Sequence, residues 1–162
     1  MTARFLMATL ACTAAACGGA HTPAPDTAAF SATASDLSIA AEAHLARMQQ
    51  AGAGGCATET ARYAGEARPL VDRMSGMSQD MDACMTAMGH TSSADMKTTC
   101  EQMRQELEAH LAAVCASADP MAETERHVAA MQQMAAHEMD RATTMHGMMG
   151  GSGGMTSSGC SM

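Results

Sequence analysis

Apolar side chains recur along this chain at alternating steps of three and four residues, the spacing that lays one stripe down an α-helix and packs helices along a seam. A first stripe begins at about Ser35 and holds Leu37, Ala41, His44 and Met48. The glycine-rich run AGAGG, residues 51–55, breaks it. A second and longer stripe follows: Cys56, Thr60, Tyr63, Ala67, Leu70, Met74, Met77, Met81, Cys84 and Met88. Pro69 falls inside it without an N–H to donate, so a kink or break is expected near Gly65 to Pro69. Gly89 ends the helix, and the polar turn that follows offers Ser92 or Ser93 as the next N-cap. The third stripe is Met96, Cys100, Met103, Leu107, His110 and Val114. Asp119 and Pro120 then form an N-cap and first-turn pair for a fourth helix, with Met121, Thr124, Val128, Met131, Ala135, Glu138, Ala142 and Met145 in register. No segment alternates like a strand. Short connections between four helices predict an all-α, antiparallel up-and-down four-helix bundle.

Four cysteines fall inside this frame, at 56, 84, 100 and 115. Cys100 and Cys115 on one continuous helix stand about 22 Å apart, far beyond the Cα separation of about 7 Å that a disulfide tolerates. Cys84 and Cys115 lie at opposite ends of an antiparallel hairpin. The expected pairs are therefore Cys84 with Cys100 and Cys56 with Cys115. A straight second helix cannot satisfy both registers, and the break at Gly65 to Pro69 is expected to relieve the conflict. Cys160 is left over.

The flanks read differently. Residues 1–16 carry Arg4 and a short apolar run, as a signal peptide does, and that run is too short to span a bilayer. Residues 17–34 read as a Pro/Ala/Thr linker, 35–146 as the helical domain and 147–162 as a flexible Gly/Ser/Met-rich tail. Ala14-Ala15-Ala16-Cys17 resembles a bacterial lipobox, which implies lipidation at Cys17, a lipid anchor to the membrane (the outer membrane) and a periplasmic location. Thr9-Leu10-Ala11-Cys12 is a poorer match to that pattern. Plain cleavage after Ala16 or Ala20, giving a secreted protein, is the alternative.

The net charge is −8, with one tyrosine, two phenylalanines and no tryptophan. Nucleic-acid binding, which uses cationic surfaces and stacking rings, is excluded by that balance. No Glu-x-x-His, Cys-x-x-Cys-His, Gly-x-Ser-x-Gly, His-Glu-x-x-His or phosphate loop is present. A di-iron centre, haem, a nucleotide and known hydrolase chemistry are not expected, and the chain does not read as an enzyme.

Methionine is the unusual choice, with 19 in 162 residues. At seam positions it reads as core, although it specifies packing less well than leucine and oxidises outside the cytosol. Packing does not explain Met145, Met148, Met149, Met155 and Met162, at the helix end and among the glycines of the tail. Thioether and thiolate donors are soft and select Cu(I), and Ag(I) behaves alike; imidazole extends the range to Cu(II) and zinc. The stretch MHGMMGGSGGM resembles the His/Met-rich segments of periplasmic copper-resistance proteins, which implies capture of copper or silver through His146, Met148, Met149 and Met155, with Cys160 close by. Within the bundle, His44, His110 and His127 fall on three different helices, with Met131 one turn beyond His127, and are candidates for an interhelical site. Their ordinary alternative is a hydrogen bond to Glu42, Glu106 or Glu138. The expected function is an envelope lipoprotein that binds a soft metal. The alternatives are a structural or chaperone-like bundle whose Met-rich surface takes protein partners, and a methionine sink for oxidants.

Overall fold

The computed structural model describes residues 21–22, 26–87, 94–150 and 160–161. The segment read as a signal peptide, the expected lipidation site Cys17, the expected turn at Gly89 to Ser93, Met155 and Met162 lie outside these residues. Helical backbone runs from Thr27 to Ala87 with one non-helical residue, Gly52, at φ 58° and ψ −172°. That left-handed φ favours glycine, and it reverses the chain: His44 and Arg47 on one side meet Glu59 on the other. Gly52 thus divides the segment into α1 (27–51) and α2 (53–87). After α2 come α3, Ala94–Ala113, a short 3-10 turn at Val114–Ala116, and α4, Pro120–Gly150. These pack as a four-helix bundle. His21–Thr22 (β1) and Cys160–Ser161 (β2) form a two-residue antiparallel bridge, His21 opposite Ser161 and Thr22 opposite Cys160.

Helix starts follow the local chemistry. Asp119 accepts from the backbone N–H groups of Met121 and Ala122, capping α4 as its sequence implies. Asp26 does the same for α1 by accepting from Ala29 N–H at 2.8 Å. α1 therefore begins eight residues before Ser35, and the second half of the expected linker is helix. The Ala/Thr/Ser content of residues 27–35 suggested a tether, but Phe30 and Ala34 extend the Leu37–Ala41 stripe and are fully buried.

A second correction concerns Gly65 to Pro69. Backbone dihedrals stay helical there, so the break in this region of the chain is at Gly52 alone. The Pro69 ring crowds the carbonyl four residues back, and that residue is Gly65, the least restrained backbone available. Beyond the proline the buried stripe advances to Val71, Met74, Ser78 and Met81 instead of Leu70 and Met77.

The third correction is covalent. Cys56 and Cys115 are joined, with Cα atoms 5.8 Å apart. Cys100 is a free, buried thiol. Cys84 is disulfide-bonded, but not to Cys100. The α2–α3 register explains this: Thr60 faces Cys115, Arg68 faces Glu108 and Asp72 faces Arg104. Continuing those steps puts Cys100 near Ser78 and carries Cys84 past it. A straight α2 keeps the first pairing and forbids the second.

The core is one contiguous cluster running from Phe30 and Met145 to Leu107 and Val128. A small satellite of Met48, Cys56 and Val114 closes the disulfide end. None of the described helices is long and apolar enough to cross a membrane.

Candidate functional site

Between the main cluster and the satellite, the seam positions are polar. His44 from α1, Tyr63 from α2, His110 from α3 and His127 from α4 are all fully buried. They pack as two stacked pairs: His44 on Tyr63 at 4.2 Å between centroids, and His110 on His127 at 4.0 Å. Each helix supplies one ring because each stripe carries its polar residue at the same height above the Gly52 and Cys56–Cys115 end.

The carboxylates fix the protons. Glu59 accepts from Arg47 Nε at 2.7 Å and lies 3.3 Å from His44 Nδ1. Although burial alone would raise it, Arg47 and His44 hold Glu59 below its ordinary pKa. An ionised Glu59 only accepts, so His44 Nδ1 carries the hydrogen and its Nε2 is a bare lone pair. His110 Nε2, 3.1 Å away, must then donate to it. That leaves His110 Nδ1 bare, and Nδ1 indeed has no hydrogen-bond partner. It faces Glu123 Oε1 at 3.9 Å, and the Arg126 guanidinium keeps Glu123 ionised. Lone pair thus confronts carboxylate. On the other side, His127 Nδ1 donates to Glu106 at 3.2 Å and its Nε2 accepts from the Tyr63 hydroxyl at 3.0 Å.

Burial dominates the titration of all three imidazoles. It lowers His44, against the pull of Glu59. Burial and neighbouring imidazoles push His110 and His127 down to about 3. Burial also raises Tyr63 above its ordinary value, so the phenol stays protonated. The rings are neutral, and neutral imidazole is the form that ligates metals.

The arrangement presents three Nδ1 atoms outward toward Glu59, Glu123 and Glu106, and three Nε2 atoms inward. Metal-binding histidines are commonly oriented in this way, with a carboxylate on the nitrogen remote from the ion. Two nitrogens around one tetrahedral ion, each at about 2.0–2.1 Å, stand about 3.3 Å apart, close to the 3.1 Å between His44 and His110. Stacked flat on His110, His127 cannot turn its Nε2 to the same ion without a ring rotation. Among the described residues no three His, Cys, Asp or Glu side chains already converge as a ligand set. The preformed element is a two-nitrogen bite with a histidine–tyrosine pair beside it.

Other candidates from the sequence lie elsewhere. Met131 is fully buried in the main core cluster, one turn beyond His127, and Met145, which packing was not expected to explain, is buried in the same cluster because α4 continues past it. His146, Met148 and Met149 belong to the last turns of α4, so the helix continues four residues into the expected tail. Cys160 lies in β2, paired with Thr22. Glu42 bonds Gln132 instead of a buried histidine, and the histidine beside Glu138 is the exposed His137. Glu59, Glu123 and Tyr63 were not singled out from sequence as partners of this centre. The available signal for Tyr63 was that it is the chain's one tyrosine and sits on a seam.

No protein-family model matches the chain, and no curated protein or solved structure is significantly similar to it.

Proposed function

We propose that this protein is a copper-binding bundle of the bacterial cell envelope, with His44 and His110 as the primary ligands of a buried site. One observation carries the reading: two imidazoles face each other through Nε2 at 3.1 Å, each with a glutamate on its Nδ1 side. One shared proton cannot satisfy both glutamates. A cation between the two Nε2 atoms lets both Nδ1–H groups point at their carboxylates. Burial disfavours an extra proton in that role, and imidazole nitrogen suits copper, the metal class that thioether and thiolate donors also select. His127 and Tyr63 stand by as the third donor and its hydrogen-bond partner. The envelope location rests on the N-terminal segment and the lipobox-like Cys17, and the disulfides fit an oxidising compartment. The methionines and His146 near the C-terminus supply softer donors for collecting Cu(I) or Ag(I) before it reaches the centre.

Native mass spectrometry of the disulfide-intact chain with Cu(I), and with Zn(II) in comparison, tests this. One tightly held copper should disappear in His44→Phe and in His110→Phe while the helical signal persists. Full retention of that copper in both variants would refute the site. A second reading has its own support: every nitrogen of the three rings except His110 Nδ1 is already hydrogen-bonded. On that reading the network sets helix register, as buried polar groups do in some bundles, and the same variants lose cooperativity of unfolding but no metal.

A further inference from the structure

Toward the Met-rich half of the bundle a second group of polar atoms is buried, one from each of three helices. Ser78 on α2 is 1% exposed, Cys100 on α3 is 1% and Glu138 on α4 is 0%. Neither Glu138 oxygen makes a hydrogen bond, and nor does the Ser78 hydroxyl. The nearest basic groups stand off from it: His137 Nδ1 at 3.5 Å and Arg141 Nη1 at 3.8 Å from Oε1, with Thr99 also beside the carboxyl. Buried carboxyl oxygens that make no hydrogen bond are rare enough to need a reason, and a site for an ion is one. Thioether donors flank all three groups at helical spacing. Met74 and Met81 stand one turn either side of Ser78, Met96 and Met103 either side of Cys100, and Met134 one turn before Glu138. All but Met134 are fully or nearly fully buried in the same cluster, and Met134 packs against it.

We infer that the Ser78–Cys100–Glu138 layer is a second metal site, for a soft monovalent cation, with Cys100 Sγ, a Glu138 carboxyl oxygen and a flanking thioether as its ligands. When the sulfur–metal bond forms, the thiol proton leaves to solvent, and one thiolate balances one monovalent ion. Softness decides the metal class, since thiolate and thioether select Cu(I) and Ag(I). Approach is open on one side: a groove of about 750 Å³ between α3 and α4 is lined by Thr99, Met134 and His137, the neighbours of Cys100 and Glu138. This site has no residue in common with the histidine centre and stands or falls separately.

Ag(I) is the suitable probe, because it needs no reductant and leaves the disulfides intact. The full chain, titrated with Ag(I), is expected to bind one ion with a near-ultraviolet thiolate-to-metal band and release of one proton. Cys100→Ala should lose that ion, band and proton while melting cooperatively. Glu138→Gln should keep the band and weaken the ion at least tenfold. His44→Phe should retain all three signals, which separates this site from the copper centre. The proposal is overturned if Cys100→Ala binds as many Ag(I) ions with the same band as the parent chain, or if the band follows His44 instead.

Discussion

At the end closed by Cys56–Cys115, four buried rings are hydrogen-bonded to one another and to glutamates that arginines hold in place. Farther down the same bundle, Ser78 and Glu138 are buried with no hydrogen bond, among methionines. The helices are continuous through both regions, so backbone geometry does not make the difference. Side-chain chemistry does. Rigid rings with two nitrogens each can be locked by partners on both sides, whereas thioethers fill space without fixing a neighbour's orientation. The first region is preorganised and the second adaptable.

The largest expected effect falls on the preorganised end. Cys56→Ser together with Cys115→Ser opens a loop of 59 residues, a loss of about 4 kcal/mol by loop-closure entropy. Urea melts should show it, and the Tyr63 near-ultraviolet signal should broaden before helicity falls. A loss confined to helicity, with the ring signals sharp, would mean that the disulfide does not hold the histidine layer.

Acid should separate the two regions by sign. His110 and His127 are held down at about 3 in the fold against about 6.5 unfolded. Their neutral burial leaves stability unaffected above pH 6.5 and removes it as pH falls from there toward 3. At pH 5, protonation of each of the two in the unfolded chain lowers the stability of the fold by about 2 kcal/mol. Glu138 is raised by burial, so its burden on stability at pH 7 lessens as it protonates. Melts from pH 7.5 to 4.5 should fall in the parent, and Glu138→Gln should fall more steeply from a higher start. A flat profile between pH 6.5 and 5 would contradict neutral buried imidazoles.

A matched pair of substitutions sharpens the contrast. Glu59→Gln leaves His44 and Arg47 without their shared carboxylate and should destabilise by about 1–3 kcal/mol. Glu138→Gln removes no hydrogen bond made by its oxygens and should be neutral or stabilising at pH 7, because burial disfavours the charged form of Glu138. Equal losses would mean that Glu138 has a structural ion pair after all. Smallest of all, Met103→Leu keeps volume and should change stability by less than about 1.5 kcal/mol.

Much of this was readable from spacing. His44 and His110 sit on seams, and seams converge, so the sequence alone placed them on two inward faces, whereas His127 was legible only as a histidine one turn before Met131. What spacing does not carry is height. The common level of the rings depends on where the chain reverses, and that is a backbone property of Gly52. The same limit misled the cysteine assignment: Cys84 and Cys100 looked adjacent across a turn, but register is set by pairs such as Arg68–Glu108 far from it. The helical run before Ser35 was hidden because alanine and threonine suit tether and helix alike, and Phe30 alone marked the buried face. Glu59 and Glu123 were unreadable as partners, since a carboxylate on a helix face is ordinarily solvated.

Proton positions on the imidazoles test the histidine centre most directly. Long-range 15N–1H correlation spectra of the disulfide-intact chain report which nitrogen of each ring is protonated. Without metal, His44 and His127 should be Nδ1–H and His110 Nε2–H. With one equivalent of Cu(I), which is diamagnetic, His110 should switch to Nδ1–H, toward Glu123, while His44 stays as it was. A His110 ring that is already Nδ1–H without metal, or that keeps its Nε2 proton when copper is bound, would contradict copper ligation by the His44–His110 pair.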